Sequence, residues 1–311
     1  MQSPFFKEGL YMQRSTRSYY LFLSLILFVF TITSGSYAQV VKEGHAPVPE
    51  AVAIPRPSES EVKAAEEALV KFMQTADSRI KEINSKYPGL ISVTVPRDNT
   101  ATVPGLMPFF QSKHQANLEI AGKGDIDLLF LGDSITDFWS NASGPYAGKP
   151  VFDKYFGHMK VANFGIAGDT TQGVLFRLQN GEGKGFSPKL VMLMVGTNNT
   201  MQNTAPEIAE GVGAVVLELE KDFPTSKILL LAIFPRDKPG DQVRKTIDEV
   251  NRRIAKLHDG KKVFYLDIGQ KFLDENGFIP KDVMSDALHP TTKGYEIWAE
   301  AVKGHIEKLM K

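Results

Sequence analysis

Beyond Gly124 the chain alternates between two hydrophobic rhythms. Continuous apolar runs at 126–131, 160–164, 190–195, 228–234 and 263–267 are separated by longer stretches whose apolar residues recur every three or four positions. A short continuous run predicts a strand buried on both faces, and the wider spacing predicts an amphipathic helix. Val243, Ile247, Val250, Ile254 and Leu257 make the clearest stripe. Ile208, Val212, Val215 and Leu219 make another, opened by Thr204 and Glu207 at the spacing of a capping box. A last helix from about Thr291 turns Trp298, Val302 and Leu309 inward. Strands alternating with helices predict an α/β fold, a five-stranded parallel sheet covered on both faces.

Upstream of Gly124 the pattern is weaker. Prolines 47, 49, 55 and 57 suggest an extended linker, followed by a helix capped by Ser58 or Ser60. Val62, Leu69, Phe72, Ala76, Ile80 and Ile83 fall near one face of that helix. Residues 87–107 read as irregular, with Pro88, Pro96 and Pro104, and a short helix is expected around 109–120. No recognisable catalytic cluster lies here, and the region reads as a decoration packed on the main domain. At the start, Lys7, Arg14 and Arg17 precede an apolar run over 19–32 and then Ser36-Tyr37-Ala38. That order predicts a secretory signal peptide cleaved after Ala38, the run being short for a span of about 20 apolar residues. The expected organisation is a signal peptide over 1–38, a linker and helical extension over 39–107, and a catalytic domain over 108–311 of a secreted or periplasmic protein.

Composition narrows the chemistry. The 36 basic and 36 acidic residues cancel, so no global field favours nucleic acid or an anionic membrane. The absence of cysteine excludes disulfides, thiolate metal sites and a cysteine nucleophile. No zinc-protease helix, phosphate-binding loop, dinucleotide fingerprint or Gly-x-Ser-x-Gly elbow occurs, and no metal or cofactor is expected.

The informative polar residues stand where apolar runs stop. The first run ends in Gly132-Asp133-Ser134, the second leads into Gly165-Ile166-Ala167-Gly168-Asp169, and the third into Gly196-Thr197-Asn198-Asn199. Asp286-Ala287-Leu288-His289 precedes the final helix. Taken singly, Asp133 or Ser134 reads as a helix cap and Gly168 or Asn198 as a turn residue. Taken together, they line the carboxyl edge of a parallel sheet, where such folds bind ligands. Ser134 is a weak nucleophile until a base accepts its proton. His289 is that base, and Asp286, three residues earlier, fixes its tautomer and stabilises the imidazolium. The amides of Ser134 and Gly168 and the side-chain amide of Asn198 are the three expected oxyanion donors.

These residues also carry a resemblance. The chain resembles the SGNH (GDSL-type) hydrolases, whose four signature residues match Ser134, Gly168, Asn198 and His289. Within that superfamily it is similar to the catalytic subunits of the intracellular platelet-activating-factor acetylhydrolases and their secreted bacterial relatives. The similarity rests on residues 163–171, Gly196-Thr197-Asn198-Asn199, Phe234-Pro235-Arg236, Asp286-Ala287-Leu288-His289 and Gly294-Tyr295, and it spans roughly 109–309. Asn199 stands where many of these enzymes carry aspartate, and Ala167 replaces a glycine common in the acetylhydrolase branch. The resemblance implies a three-layer α/β/α flavodoxin-like sandwich with strand order 2-1-3-4-5 and removal of a short acyl group, acetyl above all, from an oxygen ester. Export and the lack of a lipid-binding segment point to an acetylated glycan as the substrate. The alternatives are a lipid or aryl esterase such as a lysophospholipase, and, in another class, a catalytically silent glycan-binding relative.

Overall fold

Asp77 interrupts the long helix expected after the proline-rich stretch. In the computed structural model, which describes residues 44–311, two helices stand in its place, α1 (Glu59–Thr75) and α2 (Ser78–Lys86). The Asp77 side chain accepts from the Ile80 amide at 2.9 Å, capping the second helix and ending the first. Ser58 caps α1 in a capping box with Glu61. Residues 56–96 form one compact unit, and residues 44–55 with 97–311 form another. The leader expected over 1–38 lies outside the described residues.

The larger unit is built on the five apolar runs. They form β1 (Leu128–Gly132), β2 (Val161–Gly165), β3 (Leu190–Met194), β4 (Lys227–Leu231) and β5 (Val263–Leu266), all parallel, in the order β2-β1-β3-β4-β5. This is the expected 2-1-3-4-5 topology. Every residue of β1 and β3 is buried, which is why these strands read as unbroken apolar runs.

The helices of this unit are α3 (Gln111–Ala121), α4 (Ser134–Asp137), α5 (Lys149–Phe156), α6 (Thr171–Arg177), α7 (Ala205–Asp222), α8 (Gln242–Ile254) and α9 (Thr292–Leu309). They fall into two layers. Leu129 and Leu131 of β1 share a core with Val174 of α6, Val212 of α7 and Ile247 of α8. Leu128 and Phe130 share the opposite core with Ile135 of α4, Phe156 of α5 and Trp298 of α9. The period-2 alternation of a strand thus feeds both layers of an α/β/α sandwich.

The sequence placed the boundary of this domain at 107/108, but residues 44–55 and 97–107 belong to the same compact unit as the sheet. Val52 and Ala46 join the core on the α7 and α8 side, and Asn99, Ala101 and Thr102 are buried. Asn99 donates to the Glu207 carbonyl and to Glu210 on α7, both at 2.8 Å. Arg97 grips the Glu207 carboxylate through Nε and Nη2. These are single polar contacts with no sequence period, so they leave no hydrophobic pattern to read.

Candidate active site

Ser134 is the first residue of α4, directly beyond the end of β1, and only 6% exposed. Asp133 caps this short helix, its Oδ1 accepting from the Ile135 amide at 3.0 Å. The Ser134 amide, as an N1 group, has no intrahelical acceptor. Two further contacts fix the turn. Tyr295 of α9 donates to the Ile135 carbonyl at 2.8 Å, and Asn163 of β2 donates to the Thr136 carbonyl at 2.9 Å. Gly165 lets β2 end against this helix, since a Cβ there would stand 2.2 Å from the Asp137 amide nitrogen.

His289 reaches Ser134 from the loop before α9. Its Nε2 lies 2.9 Å from Ser134 Oγ, and its Nδ1 lies 2.7 Å from Asp286 Oδ2. An ionised carboxylate only accepts, so Nδ1 carries the proton and Nε2 is free to take one from the serine. Asp286 Oδ1 accepts from the amides of Leu288 and His289 at 3.0 and 2.8 Å, closing a tight turn. Burial alone would raise the Asp286 carboxyl, but hydrogen bonds from His289 and Tyr146 outweigh it and hold the group below its ordinary value. The turn is strained: Ala287 has φ 57, a left-handed conformation that costs a β-carbon residue of order 1 kcal/mol. Its carbonyl accepts from the Asp237 amide at 2.9 Å, and Asp237, in the loop after β4, is itself left-handed at φ 55.

The other two expected residues face each other across a shared carbonyl. Asn198 Nδ2 donates to the Asp169 carbonyl at 2.8 Å, leaving its second amide proton available. Gly168 sits third in the turn closed by the Asp169 amide on the Ile166 carbonyl, at φ 86, where a side chain would be strained. Its peptide N–H is not used by that turn. Ala167 ties the loop back to the helix of Ser134, donating to Asp137 Oδ2 at 3.1 Å. Asn199 joins the loops a second time, accepting from the Thr171 amide at 3.0 Å and donating to Gln172 at 2.8 Å. Ser134, His289 and Asp286 are therefore in one hydrogen-bonded chain, and Gly168 and Asn198 are held together through Asp169.

Two groups at the site escaped the sequence reading. Tyr146 donates its hydroxyl to Asp286 Oδ2 at 2.9 Å. Beneath the Gly168 loop lies a buried ionic network. Arg177 Nε donates to Asp169 Oδ2 at 2.9 Å, its Nη1 donates to Glu182, and Glu182 Oε1 lies 2.7 Å from His114 Nδ1. His114 carries no weight in the sequence because no carboxylate accompanies it in so informative a context as Asp286 does His289; Glu182 supplies one from 68 positions away. Arg177 did leave a signal, a charge set within the apolar run Val174-Leu175-Phe176-Arg177-Leu178.

Residues 130–297 match the model of the GDSL-like Lipase/Acylhydrolase family. Platelet-activating factor acetylhydrolase IB subunit alpha2 of Rattus norvegicus is 36% identical over 170 residues, 54% of this chain and 71% of that one. The alpha1 subunit of the same organism is 30% identical over 185 residues, 59% of this chain and 76% of that one. Among solved structures, a GDSL-like lipase from Bacteroides thetaiotaomicron superposes with a TM-score of 0.52 at 20% identity, over 64% of this chain and 97% of that one. A member of the lipolytic protein G-D-S-L family from Veillonella parvula gives 0.50 at 18% identity, over 59% and 99%. At these identities the two structures establish a shared fold.

Proposed function

The chain belongs to the GDSL-like lipase/acylhydrolase family and is a carboxylic ester hydrolase, and from that premise we propose that Ser134 is its nucleophile, His289 its general base and Asp286 the acid that orients the base. The observation that carries this reading is the continuous chain from Ser134 Oγ through His289 to Asp286, at 2.9 and 2.7 Å. Ser134 Oγ attacks the ester carbonyl as its proton passes to His289 Nε2. The tetrahedral oxyanion is met by the amides of Ser134 and Gly168 and by Asn198 Nδ2. Collapse expels the alcohol, which takes the proton from His289. Water then repeats the cycle on the acyl-enzyme, releasing the carboxylic acid and restoring Ser134.

The acyl group is acetyl, and the substrate is an acetylated glycan met outside the cytoplasm. The names of the acetylhydrolase relatives support acetyl. The leader-like order of residues 1–38 supports export. The other substrate reading keeps the acetyl group and places it on platelet-activating factor, which those relatives are named for. A panel of acetyl, butyryl and octanoyl aryl esters, acetylated xylan, platelet-activating factor and lysophospholipid decides between them. Acetylated xylan and acetyl aryl esters should be hydrolysed fastest, and Ser134→Ala should abolish turnover while the melting temperature is kept. Activity that survives Ser134→Ala would remove the nucleophile, and a preference for octanoyl esters or lysophospholipid would remove the acetyl-glycan reading.

A further inference from the structure

The triad does not account for Tyr146. This residue comes from the loop between a 3-10 turn at Phe138–Ser140 and α5, 140 positions before Asp286 in the sequence. Its hydroxyl nevertheless donates to Oδ2, the oxygen that also accepts from His289 Nδ1. With the two amides on Oδ1, the carboxylate has two donors on each oxygen. The ring is placed as firmly as the hydroxyl. It stacks on Phe138 at 5.8 Å and 14°, and the two rings lie 5.2 and 5.0 Å from the imidazole.

The loop that presents Tyr146 is anchored on both sides. The Lys149 amide donates to the Asn141 carbonyl at 2.9 Å, closing the loop on itself. Thr292, at the start of α9, donates to the Ala147 carbonyl at 2.9 Å, binding the residue after Tyr146 to the helix that follows His289. Other charges are engaged elsewhere: Lys149 pairs with Asp153 at 2.6 Å and Lys293 with Asp282 at 2.5 Å. The groups acting on the Asp286 carboxyl are His289 and Tyr146, and those acting on the phenol are Asp286 and Ser285. Ser134 faces the far side of the imidazole.

We propose that Tyr146 is a positioning residue of the proton relay: it holds Asp286 Oδ2 toward His289 and, by sharing that oxygen, limits how strongly the carboxylate stabilises the imidazolium. The proposal rests on the reading of Ser134, His289 and Asp286 given above. A donor on the shared oxygen draws electron density from it, so the charged imidazole gains less from its partner than it would from a free carboxylate.

The test is the pH dependence of kcat/KM for an acetyl aryl ester, measured on the wild type, Tyr146→Phe, Phe138→Leu and Ser134→Ala. Tyr146→Phe keeps the ring and its stacking, so the fold is retained. Its acid limb should move to higher pH by about half a unit, with a plateau kcat roughly two- to tenfold lower. Phe138→Leu removes a ring from the imidazole but no hydrogen bond, and its acid limb should stay in place. A Tyr146→Phe limb that overlays the wild type while Ser134→Ala is inactive would overturn the role of the tyrosine alone. Residual wild-type activity in Ser134→Ala would overturn the relay and the tyrosine with it.

Discussion

Replacing Arg177 by leucine probes how the Gly168 and Asn198 side of the site is held. The guanidinium is fully buried, with one nitrogen 2.9 Å from Asp169 Oδ2 and another on Glu182, whose side chains are equally buried. Leucine fills part of the volume but leaves both carboxylates without their cation. Deleting one partner of a buried ion pair costs about 3–5 kcal/mol, because the remaining charge is uncompensated. At about 2–4 °C per kcal/mol for a domain of this size, the melting temperature should fall by roughly 6–20 °C. The loss should also depend on pH. Burial already holds the Asp169 carboxyl above its ordinary value, against the pull of Arg177. Without the guanidinium it rises further, so the folded variant binds a proton that the unfolded chain releases. The deficit is therefore largest near pH 8 and shrinks as pH falls toward the ordinary carboxylate value of about 4. Because the Asp169 carbonyl also receives Asn198 Nδ2, loosening this loop should lower kcat by roughly 10- to 100-fold. Urea unfolding at pH 5 and pH 8 reads the stability, and ester turnover reads the loop. A loss below about 1 kcal/mol, equal at both pH values, would refute the view that Arg177 neutralises this buried cluster.

Two further outcomes follow from the same geometry. Asn198→Ala should lower kcat by about 10²–10³ if its free amide proton meets the oxyanion, and an unchanged kcat would take it out of that role. Burial pushes the Asp133 carboxyl up to about 7, with the Ile135 amide opposing and Asp169 adding to the rise. In the unfolded chain the group returns to about 3.8, so between those values the folded state holds the extra proton. Its contribution to stability therefore falls as pH rises from about 4 to about 7 and is constant above. Asp133→Asn removes that slope, and the stability gap between variant and wild type should change by about 2 kcal/mol between pH 5 and pH 7 in urea titrations. Parallel curves for the two proteins would show that Asp133 does not titrate in this range.

The sheet was legible because a strand buried on both faces has no choice but to be apolar throughout, as Leu128–Gly132 and Leu190–Met194 are. Three of the four polar signatures begin where such a run stops, at Gly132, Gly165 and Gly196, while Asp286-Ala287-Leu288-His289 is marked only by its place before the last helix. What escaped is held by contacts without a period. Ala101 belongs to the site's support through one carbonyl, which accepts from Thr171 Oγ1 at 2.8 Å. Tyr146 lies in a Gly-Pro loop that looks like any other surface turn. The Asp77 break was misread because the apolar spacing continues through it, while the capping side chain that ends the helix is a single residue.

The two cores on either side of the sheet divide the chemistry as well as the packing. Ile135, beside Ser134, belongs to the core of α5 and α9, and Phe138 and Leu288, beside Tyr146 and His289, pack against it. The loops bearing Gly168 and Asn198 lead into α6 and α7, whose apolar faces belong to the other core. On the roles proposed above, the proton relay and the Ser134 amide are thus mounted on one layer and the Gly168 and Asn198 donors on the other, with the plane of β1 and β3 between them. Such a partition makes the proposed oxyanion hole a joint between two cores. Repacking beneath α9 would act first on the His289 side and repacking beneath α7 on the Asn198 side, with the Ala167 amide on Asp137 at 3.1 Å coupling the two.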